Sequence, residues 1–176
     1  DPRFEYEKLY NIDFVGNSAG QPDVYYLNLE MKRLKETTES SIRDNQCVWF
    51  GCDINTGLYK PTCVLRRDLY DHSPLVGNII ECTKKGRLQF CVSELNHIVN
   101  ITGFDEDTES KKIMKWQIEN TWGKDTLAKG YLAMDDDWFD EYGYEVVVHK
   151  KYLTENEKEM TKERTHLDPW NHVCFL

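Results

Sequence analysis

Two segments near the middle of the chain alternate apolar and polar side chains with a period of two. Residues His97 to Phe104 follow this pattern, and so do residues Ile113 to Asn120. Such alternation is typical of half-buried β-strands. The acidic run 105–110 lies between the two segments. The pattern therefore predicts a hairpin of two neighbouring strands with an exposed, charged connection.

A helical period precedes this hairpin. Leu27, Met31, Leu34, Thr38 and Ile42 recur at the spacing of one helix face, which predicts an amphipathic helix over about 28–44. Other patterns predict strands over 46–52, 130–134 and 144–149, a short helix over about 74–83 that Thr83 to Gly86 breaks, and helices that begin near 135 and 154. Residues 1–26 and the tail from 165 show neither period, so both are predicted to be irregular. The mixture predicts an α+β fold with one long helix and several short ones around a twisted antiparallel sheet.

Acidic residues cluster at two places that could be read as metal sites. The run Asp105 to Ser110 has the composition of a calcium loop but lacks the glycine and the terminal glutamate of an EF-hand. The run Asp135 to Asp137 fits the first turn of a helix, where carboxylates are favoured. Thr154 and Glu157 have the spacing of a capping box. We interpret the clusters as a solvated loop and a helix start, and we predict no metal site.

Composition and charge narrow the classes of function. A chain of 176 residues with 40% hydrophobic and 12% aromatic residues is predicted to fold as one domain. The net charge of −9 makes nucleic acid an improbable partner, because binding to phosphates depends on cationic neutralisation. No apolar run reaches the length of a membrane span. These properties predict a folded protein without a membrane span and argue against nucleic acid as its main partner.

Cysteine usage bears on the compartment. The six cysteines are Cys47, Cys52, Cys63, Cys82, Cys91 and Cys174, and none forms a C-x-x-C pair. A zinc ribbon is therefore not expected. Cys47 and Cys52 are predicted to be buried strand residues, because neither has the context of a helix-borne nucleophile. Reduced thiols of this kind predict a cytoplasmic protein.

One set of residues suggests catalysis. His97 begins a predicted strand, and Asn120 ends the next one, followed by Thr121, Trp122 and Gly123. A histidine held by an asparagine amide, with a tryptophan over the hydrogen bond, is two thirds of a Cys-His-Asn constellation. Either residue alone is more often structural. The four other histidines lack such a partner in the sequence and are expected to be surface or loop residues: His72, His149, His166 and His172.

Several motifs in one order resemble a known family. Residues 48–53 (VWFGCD), 68–72 (DLYDH), 119–123 (ENTWG), 129–132 (KGYL) and 138–148 (WFDEYGYEVVV) are similar to the C-terminal half of bleomycin hydrolases and bacterial aminopeptidase C. These are cytosolic members of the papain-like cysteine peptidases. The resemblance runs nearly the whole length of the chain. It implies that residues 1–176 are the C-terminal portion of a papain-like domain and form its strand-rich lobe.

The resemblance also implies roles for residues. His97 takes the position of the general base, Asn120 that of the orienting amide and Trp122 that of the shielding indole. The nucleophilic cysteine and the oxyanion-hole glutamine are expected upstream of Asp1. The resemblance further implies peptide substrates, no cofactor or metal, and a homohexamer that includes the missing N-terminal lobe.

Two departures from the family pattern concern specificity. The residue after the base is small in the family, whereas this chain has Ile98, which could narrow the substrate pocket or be absorbed by local repacking. The tail, about 165–176, is expected to lie in the active-site cleft, where the carboxylate of Leu176 would anchor the α-amine of a substrate. Its final residues differ from those of the family.

Three hypotheses remain at this stage. The chain is part of a cysteine aminopeptidase, or a binding or scaffold module that has kept the peptidase lobe, or a nucleic-acid-binding protein. The His97 and Asn-Thr-Trp-Gly context favours the first, and the charge counts against the third. The isolated chain is expected to be inactive, because no cysteine in it has the context of a nucleophile.

Overall fold

The computed structural model describes residues 4–15, 19–20, 24–77, 82–125 and 127–170. The strands among these residues are β1 (Lys8–Ile12), β2 (Tyr25–Asn28), β3 (Val48–Cys52), β4 (Leu58–Tyr59), β5 (Val64–Leu65), β6 (His97–Glu106), β7 (Ile113–Glu119), β8 (Tyr131–Asp135), β9 (Gly143–Val147) and β10 (Arg164–Leu167). The helices are α1 (Met31–Arg43), α2 (Ser73–Val76), α3 (Lys84–Gln89), the distorted turn α4 (Leu127–Gly130), α5 (Asp136–Tyr142) and α6 (Glu155–Met160). Short 3₁₀ turns cover Lys60–Thr62 and Lys150–Tyr152.

Seven strands form the main sheet, in the order β4-β5-β8-β7-β6-β3-β9. Every neighbouring pair is antiparallel except β5 and β8, which are parallel. The predicted α+β architecture and the predicted central hairpin of β6 and β7 are confirmed. The prediction of an antiparallel sheet holds for all but that one pair.

Alternation along the strands builds the core. One face of the sheet contributes Phe50, Ile101, Trp116 and Met134, which are almost fully buried. Helix α5 covers this face with two large aromatic side chains, of which Phe139 lies 4.6 Å from Phe50 between ring centroids. Each such side chain contributes about 1.5–3 kcal/mol when it leaves water. This core holds β3, β6 and β7 in register and so fixes the strand ends on which the candidate site lies.

The long helix confirms the predicted element within a few residues. Helix α1 covers Met31–Arg43 and packs against β3, β6 and β9. Its buried face carries hydroxyl residues, and Thr37 and Thr38 both donate to the carbonyl oxygen of Leu34, at 2.9 and 2.8 Å. Because these hydroxyls are satisfied within the helix, they can be buried without an unpaired polar group.

The prediction of irregular ends is wrong. β1 pairs with β2 in antiparallel and with β10 in parallel. Segments that come before and after the main sheet in the sequence therefore form a second, three-stranded sheet. Leu9, Tyr10 and Ile12 are buried in it. The pairing joins segments more than 150 residues apart. Local periodicity carries no information about such a partner, which is why the strands were missed.

The predicted break at Thr83 to Gly86 is also wrong. Thr83 begins helix α3 instead, since its side-chain oxygen accepts the backbone N–H of Gly86 at 3.2 Å. A threonine that bonds the third helical N–H is an N-cap. The predicted helix over 74–83 corresponds to α2, Ser73–Val76, while residues 78–81 lie outside the described part of the chain.

Helix α3 is fastened to the C-terminal end of α5. The Lys84 ammonium group donates to the carbonyl oxygens of Asp140, at 2.8 Å, and Gly143. Arg87 donates to the carbonyl oxygen of Glu141 at 3.1 Å. These contacts satisfy carbonyls that a helix end leaves unpaired. Burial lowers the pKa of Lys84 to about 7. These hydrogen bonds therefore hold α3, and with it the start of the loop that leads to β6, against the end of α5.

The two acidic runs serve as turn and helix start. In the β6–β7 connection the Asp107 carboxylate accepts the N–H of Ser110 at 2.7 Å. Asp136 and Asp137 occupy the first turn of α5, and Thr154 and Glu157 form the predicted capping box of α6. Across the described residues, no three His, Cys, Asp or Glu side chains are grouped to hold a metal ion. No helix in the same ranges is both long and apolar enough to cross a bilayer.

Candidate active site

His97 and Asn120 come together where two central strands of the main sheet, β6 and β7, begin and end. His97 is the first residue of β6 and pairs with Cys52 of β3. Asn120 follows the last residue of β7, and its N–H donates to the carbonyl oxygen of Gly130 at 2.8 Å. Because β6 and β7 are antiparallel neighbours, the start of one strand and the end of the other meet at the same end of the sheet.

A hydrogen bond joins the two side chains. His97 Nε2 lies 3.0 Å from Asn120 Oδ1. The same Oδ1 accepts the backbone N–H of Thr121 at 2.7 Å. A backbone N–H can only donate, so the amide atom that it meets must be the oxygen, and His97 Nε2 must carry the proton that it donates. The lone pair of a neutral ring is then on Nδ1, so this arrangement leaves Nδ1 as the basic atom.

The indole of Trp122 lies beside this pair. Its ring centroid is 5.5 Å from that of His97, at an interplanar angle of 38°. Lys60 Nζ approaches the same indole at 5.9 Å from the ring centroid. Gly130 has a positive φ of 93°, and a side chain there would meet the carbonyl oxygen of Gly123 at 3.3 Å. Glycine at this position thus permits the close approach of residues 123 and 130.

Asn120 is only 8% exposed. Its Nδ2 is buried and has no hydrogen-bond partner among the described residues. A buried, unpaired amide nitrogen costs about 1–3 kcal/mol. The N–H of Thr121 nevertheless fixes the orientation of the amide, which keeps its oxygen toward His97 and leaves its nitrogen unpaired.

Comparison with known proteins decides the family. A model of the Peptidase C1-like family matches residues 1–174. The chain belongs to the Peptidase C1-like family. Among curated relatives, it is 37% identical to aminopeptidase E of Lactobacillus helveticus over 98% of this chain. It is 38% identical to bleomycin hydrolase of Rattus norvegicus over 88% of this chain.

A solved structure of a similar protein supports the papain-like fold. The crystal structure of PepW from Lactobacillus rhamnosis HN001 superimposes with a TM-score of 0.89 and 31% identity, over 96% of this chain and 38% of that one. The chain spans only 34–39% of the length of the curated relatives it matches. It is thus similar to one part of longer Peptidase C1-like proteins, and the predicted resemblance is confirmed.

A Cys-His-Asn constellation also needs a thiol beside the imidazole, and among the described residues no cysteine is hydrogen-bonded to His97. Cys52 is adjacent to His97 across the strands, but it is fully buried and makes no hydrogen bond to the ring. Burial, with a smaller effect from Asp53, raises the pKa of the Cys52 thiol. The prediction that Cys52 is a buried strand residue is confirmed. The prediction for Cys47 is wrong, because β3 begins one residue later and Cys47 is exposed.

The remaining predicted residues are only partly placed. Ile98 follows His97 in β6 and is 43% exposed, so its side chain is available to contact a bound molecule. Leu176, His172 and Cys174 lie outside the described residues, as does the end of the tail predicted to enter the cleft. Residues 164–167 of that tail form β10 rather than an irregular segment.

His166 has partners that sequence reasoning missed. Its Nδ1 lies 2.9 Å from Asp13 Oδ1 and 3.4 Å from Asn11 Nδ2. These partners are in β1 and just beyond it, and the missed β1–β10 pairing brings them to His166. Asp53 was missed as well: it is 3% exposed, although its charge favours the surface. Its position directly after the apolar run VWFGC was the available signal.

Proposed function

We propose that this chain supplies the general base and the orienting amide of a cysteine-type aminopeptidase. The observation that carries the proposal is the contact between His97 Nε2 and Asn120 Oδ1 at 3.0 Å, with the amide turned by the N–H of Thr121. This leaves Nδ1 of His97 unprotonated and able to accept a proton. Membership of the Peptidase C1-like family and the names of its relatives support the same class of reaction.

The proposed chemistry follows from the ring orientation. A thiol from outside these 176 residues gives its proton to His97 Nδ1, and the thiolate attacks the carbonyl carbon of a peptide bond. The protonated ring then gives that proton to the leaving amine, which departs as the C–N bond breaks and leaves a thioester. A water molecule, deprotonated by the same Nδ1, releases the acid and restores the thiol. Asn120 holds the ring in place through both steps.

Trp122 would support this pair as a shield. Its ring centroid lies 5.5 Å from that of His97, where the indole would limit the access of water to one side of the Nε2–Oδ1 hydrogen bond. A hydrogen bond shielded from water is electrostatically stronger than an exposed one. The proposed role is therefore to keep the imidazole in a single orientation, not to contact the substrate.

Other properties of the parent protein are proposed on the resemblance. Peptide substrates would be cleaved near their amino terminus, with the carboxylate of Leu176 as the group that pairs with the α-amine. The parent is expected to be cytoplasmic and homohexameric, and residues 1–176 to be the C-terminal portion of its peptidase domain. Five described cysteines that are all free support a reducing compartment.

Two proteins test the proposal together. The first is the isolated chain, which should show no turnover of an aminoacyl-aminomethylcoumarin. The second is a chimera in which the chain replaces the matching part of Lactobacillus helveticus aminopeptidase E. We expect the chimera to be active and to lose activity with His97→Ala, while His149→Ala, a change in an exposed histidine, leaves it unchanged.

Two outcomes would contradict the proposal. Turnover by the isolated chain would mean that a nucleophile is present within it. A folded chimera that binds substrate without cleaving it would favour a binding or scaffold module that has kept the peptidase lobe.

A further inference from the structure

Asp53 is a buried carboxylate that collects four hydrogen bonds. Its Oδ1 accepts Asn96 Nδ2 at 2.6 Å and the N–H of Asn55 at 3.2 Å. Its Oδ2 accepts Ser93 Oγ at 2.7 Å and Thr56 Oγ1 at 3.0 Å. Burying a carboxylate costs free energy unless such donors compensate. Residues of two loops, 53–56 and 93–96, are thus hydrogen-bonded to a single carboxylate.

The second of these loops leads directly into His97. The Asn96 side chain donates to Asp53 through Nδ2 and accepts the N–H of Ile54 through Oδ1 at 3.1 Å. The N–H of Asn96 also donates to the carbonyl oxygen of Cys52 at 3.2 Å. Three hydrogen bonds therefore fix the residue immediately before His97. Since the direction of a side chain follows from its backbone, this arrangement determines where the imidazole points.

A β-bulge brings a residue of β9 into the hydrogen-bond network around Asp53. The pairing of β3 with β9 shifts between Gly51 and Cys52, so Tyr144 is an extra residue opposite this step. Its hydroxyl lies 2.5 Å from Ser93 Oγ. Because Ser93 donates its proton to Asp53, the Tyr144 hydroxyl must be the donor to Ser93. Burial raises the pKa of Tyr144, which favours this protonated form. Bulges commonly re-aim side chains beside functional sites.

We propose that Asp53 is a positioning residue for His97, acting through the Asn96 side chain. Asp53 touches neither the imidazole nor Asn120 in this structure; its contribution is to fix the backbone from which the imidazole extends. Its role in catalysis rests on the proposed peptidase function. Its effect on the orientation of the His97 ring does not, and can be measured on the isolated chain.

The direct test measures the His97 ring in the Asp53→Asn variant. Long-range ¹H–¹⁵N spectra of the imidazoles report which ring nitrogen carries the proton, and the His97 signals are assigned by their loss in His97→Ala. In the unchanged chain we expect the proton on Nε2. In Asp53→Asn one carboxylate oxygen is replaced by an amide nitrogen, which cannot accept hydrogen bonds from the donors that met that oxygen. We therefore expect His97 to exchange between both tautomers, while circular dichroism still shows a folded chain.

Three further variants separate positioning from general stability. Asn96→Ala should reproduce the effect of Asp53→Asn, and the two should not add, because both alter the contact between residues 53 and 96. Ser93→Ala leaves the Asp53–Asn96 bond intact and should leave the ring unchanged. The exchanged pair Asp53→Asn with Asn96→Asp restores a donor–acceptor pair of the same charge, and should recover the Nε2 tautomer in at least part of the molecules.

Asp13→Asn is the matched control, because it makes the same substitution beside another histidine. It should leave His97 unchanged. In the active chimera, Asp53→Asn should lower kcat about tenfold to a hundredfold with little change in KM, since a displaced base affects the reacting geometry.

Two results would overturn the proposal. The first is a folded Asp53→Asn chain whose His97 ring keeps the Nε2 tautomer. If Asp53→Asn fails to fold, Asn96→Ala decides in its place: an unaltered ring in that variant would contradict positioning through Asn96. Because the ring is measured without substrate, an inactive chimera would count against the proposed peptidase function and not against this inference.

Discussion

Two histidines of this chain each lie beside an asparagine, but only His97 is hydrogen-bonded to it. At His97, Asn120 presents its oxygen to Nε2 because the backbone N–H of Thr121 requires an oxygen there. At His166, the carboxylate of Asp13 accepts from the ring at 2.9 Å and from the Asn11 amide nitrogen at 3.0 Å, so the asparagine is bonded to the carboxylate and not to the imidazole. The acceptor fixed beside each ring therefore decides which ring nitrogen carries the proton.

The consequence is a different free atom on each ring. The carboxylate of Asp13 accepts from His166 Nδ1, so that atom carries the proton. On His97 the proton is on Nε2, and Nδ1 retains its lone pair. Both asparagines leave one amide atom unpaired among the described residues, Oδ1 in Asn11 and Nδ2 in Asn120. Residue type alone does not determine which ring nitrogen is free; the acceptor fixed beside each ring does.

Removing the rings should give the largest contrast. In the active chimera, His97→Ala should lower kcat by about 10²–10⁴-fold, the usual contribution of a general base. His166→Ala should leave kcat within about twofold, because His166 lies in the second sheet, where its Nδ1 donates to Asp13. Steady-state rates for both variants make the comparison. Equal losses would contradict the distinction drawn between the two clusters.

Removing the amide that orients His97 should have the next largest effect. Asn120→Ala deletes the acceptor of the Nε2 proton, and we expect a loss of roughly 10–100-fold in kcat, the value of one hydrogen bond to a group that becomes charged. Asn100→Ala is the matched control, since Asn100 lies on β6 opposite Glu119 and outside the pair. An Asn120→Ala chimera as active as the parent would mean that the orientation of His97 has another source.

The sequence predicted one of these clusters and not the other, for a physical reason. His97 and Asn120 lie on consecutive strands of a hairpin, so alternation and the short connection were enough to place them together. His166 and Asp13 meet through a parallel pairing of β1 with β10, between distant segments whose alternation is weak. Asp53 was missed because burial of a carboxylate depends on donors from two loops. The architecture and the family were therefore predictable, while the second sheet and the buried network were not.

An ion pair between a buried carboxylate and a half-buried arginine provides a third comparison, in which the expected effect is on stability alone. Arg33 donates to Glu157 through Nε at 2.7 Å and through a terminal nitrogen at 2.9 Å. Glu157→Gln keeps the capping box of α6, which accepts either residue, but removes the charge. We expect a loss of about 1–3 kcal/mol in the free energy of unfolding at pH 7, measured by urea denaturation.

The pH dependence of this pair has a definite sign. The hydrogen bond from Arg33 lowers the pKa of Glu157 in the folded chain. Its contribution is therefore present above the ordinary glutamate pKa, and is lost as the pH falls through the lowered one. The stability difference between the chain and Glu157→Gln should shrink below about pH 4. A difference that stays constant down to pH 3 would contradict the assignment.

The exposed pair of His166 and Asp13 should give the smallest effect. Both side chains are largely accessible to water, so Asp13→Asn should change the free energy of unfolding by less than about 1 kcal/mol. The effect should fall further as salt is added, because exposed charges are screened. A larger loss in the free energy of unfolding that did not change with salt would contradict the description of His166 and Asp13 as an exposed pair.

The tautomer of His97 in the unchanged chain tests the central claim most directly. We expect long-range ¹H–¹⁵N spectra at neutral pH to show the proton on Nε2 and a lone pair on Nδ1, with the opposite assignment for His166. Loss of this preference in Asn120→Ala would confirm that the amide imposes it. A proton on Nδ1 of His97 would put the lone pair on Nε2, which faces Asn120, and would contradict the proposed role of this pair.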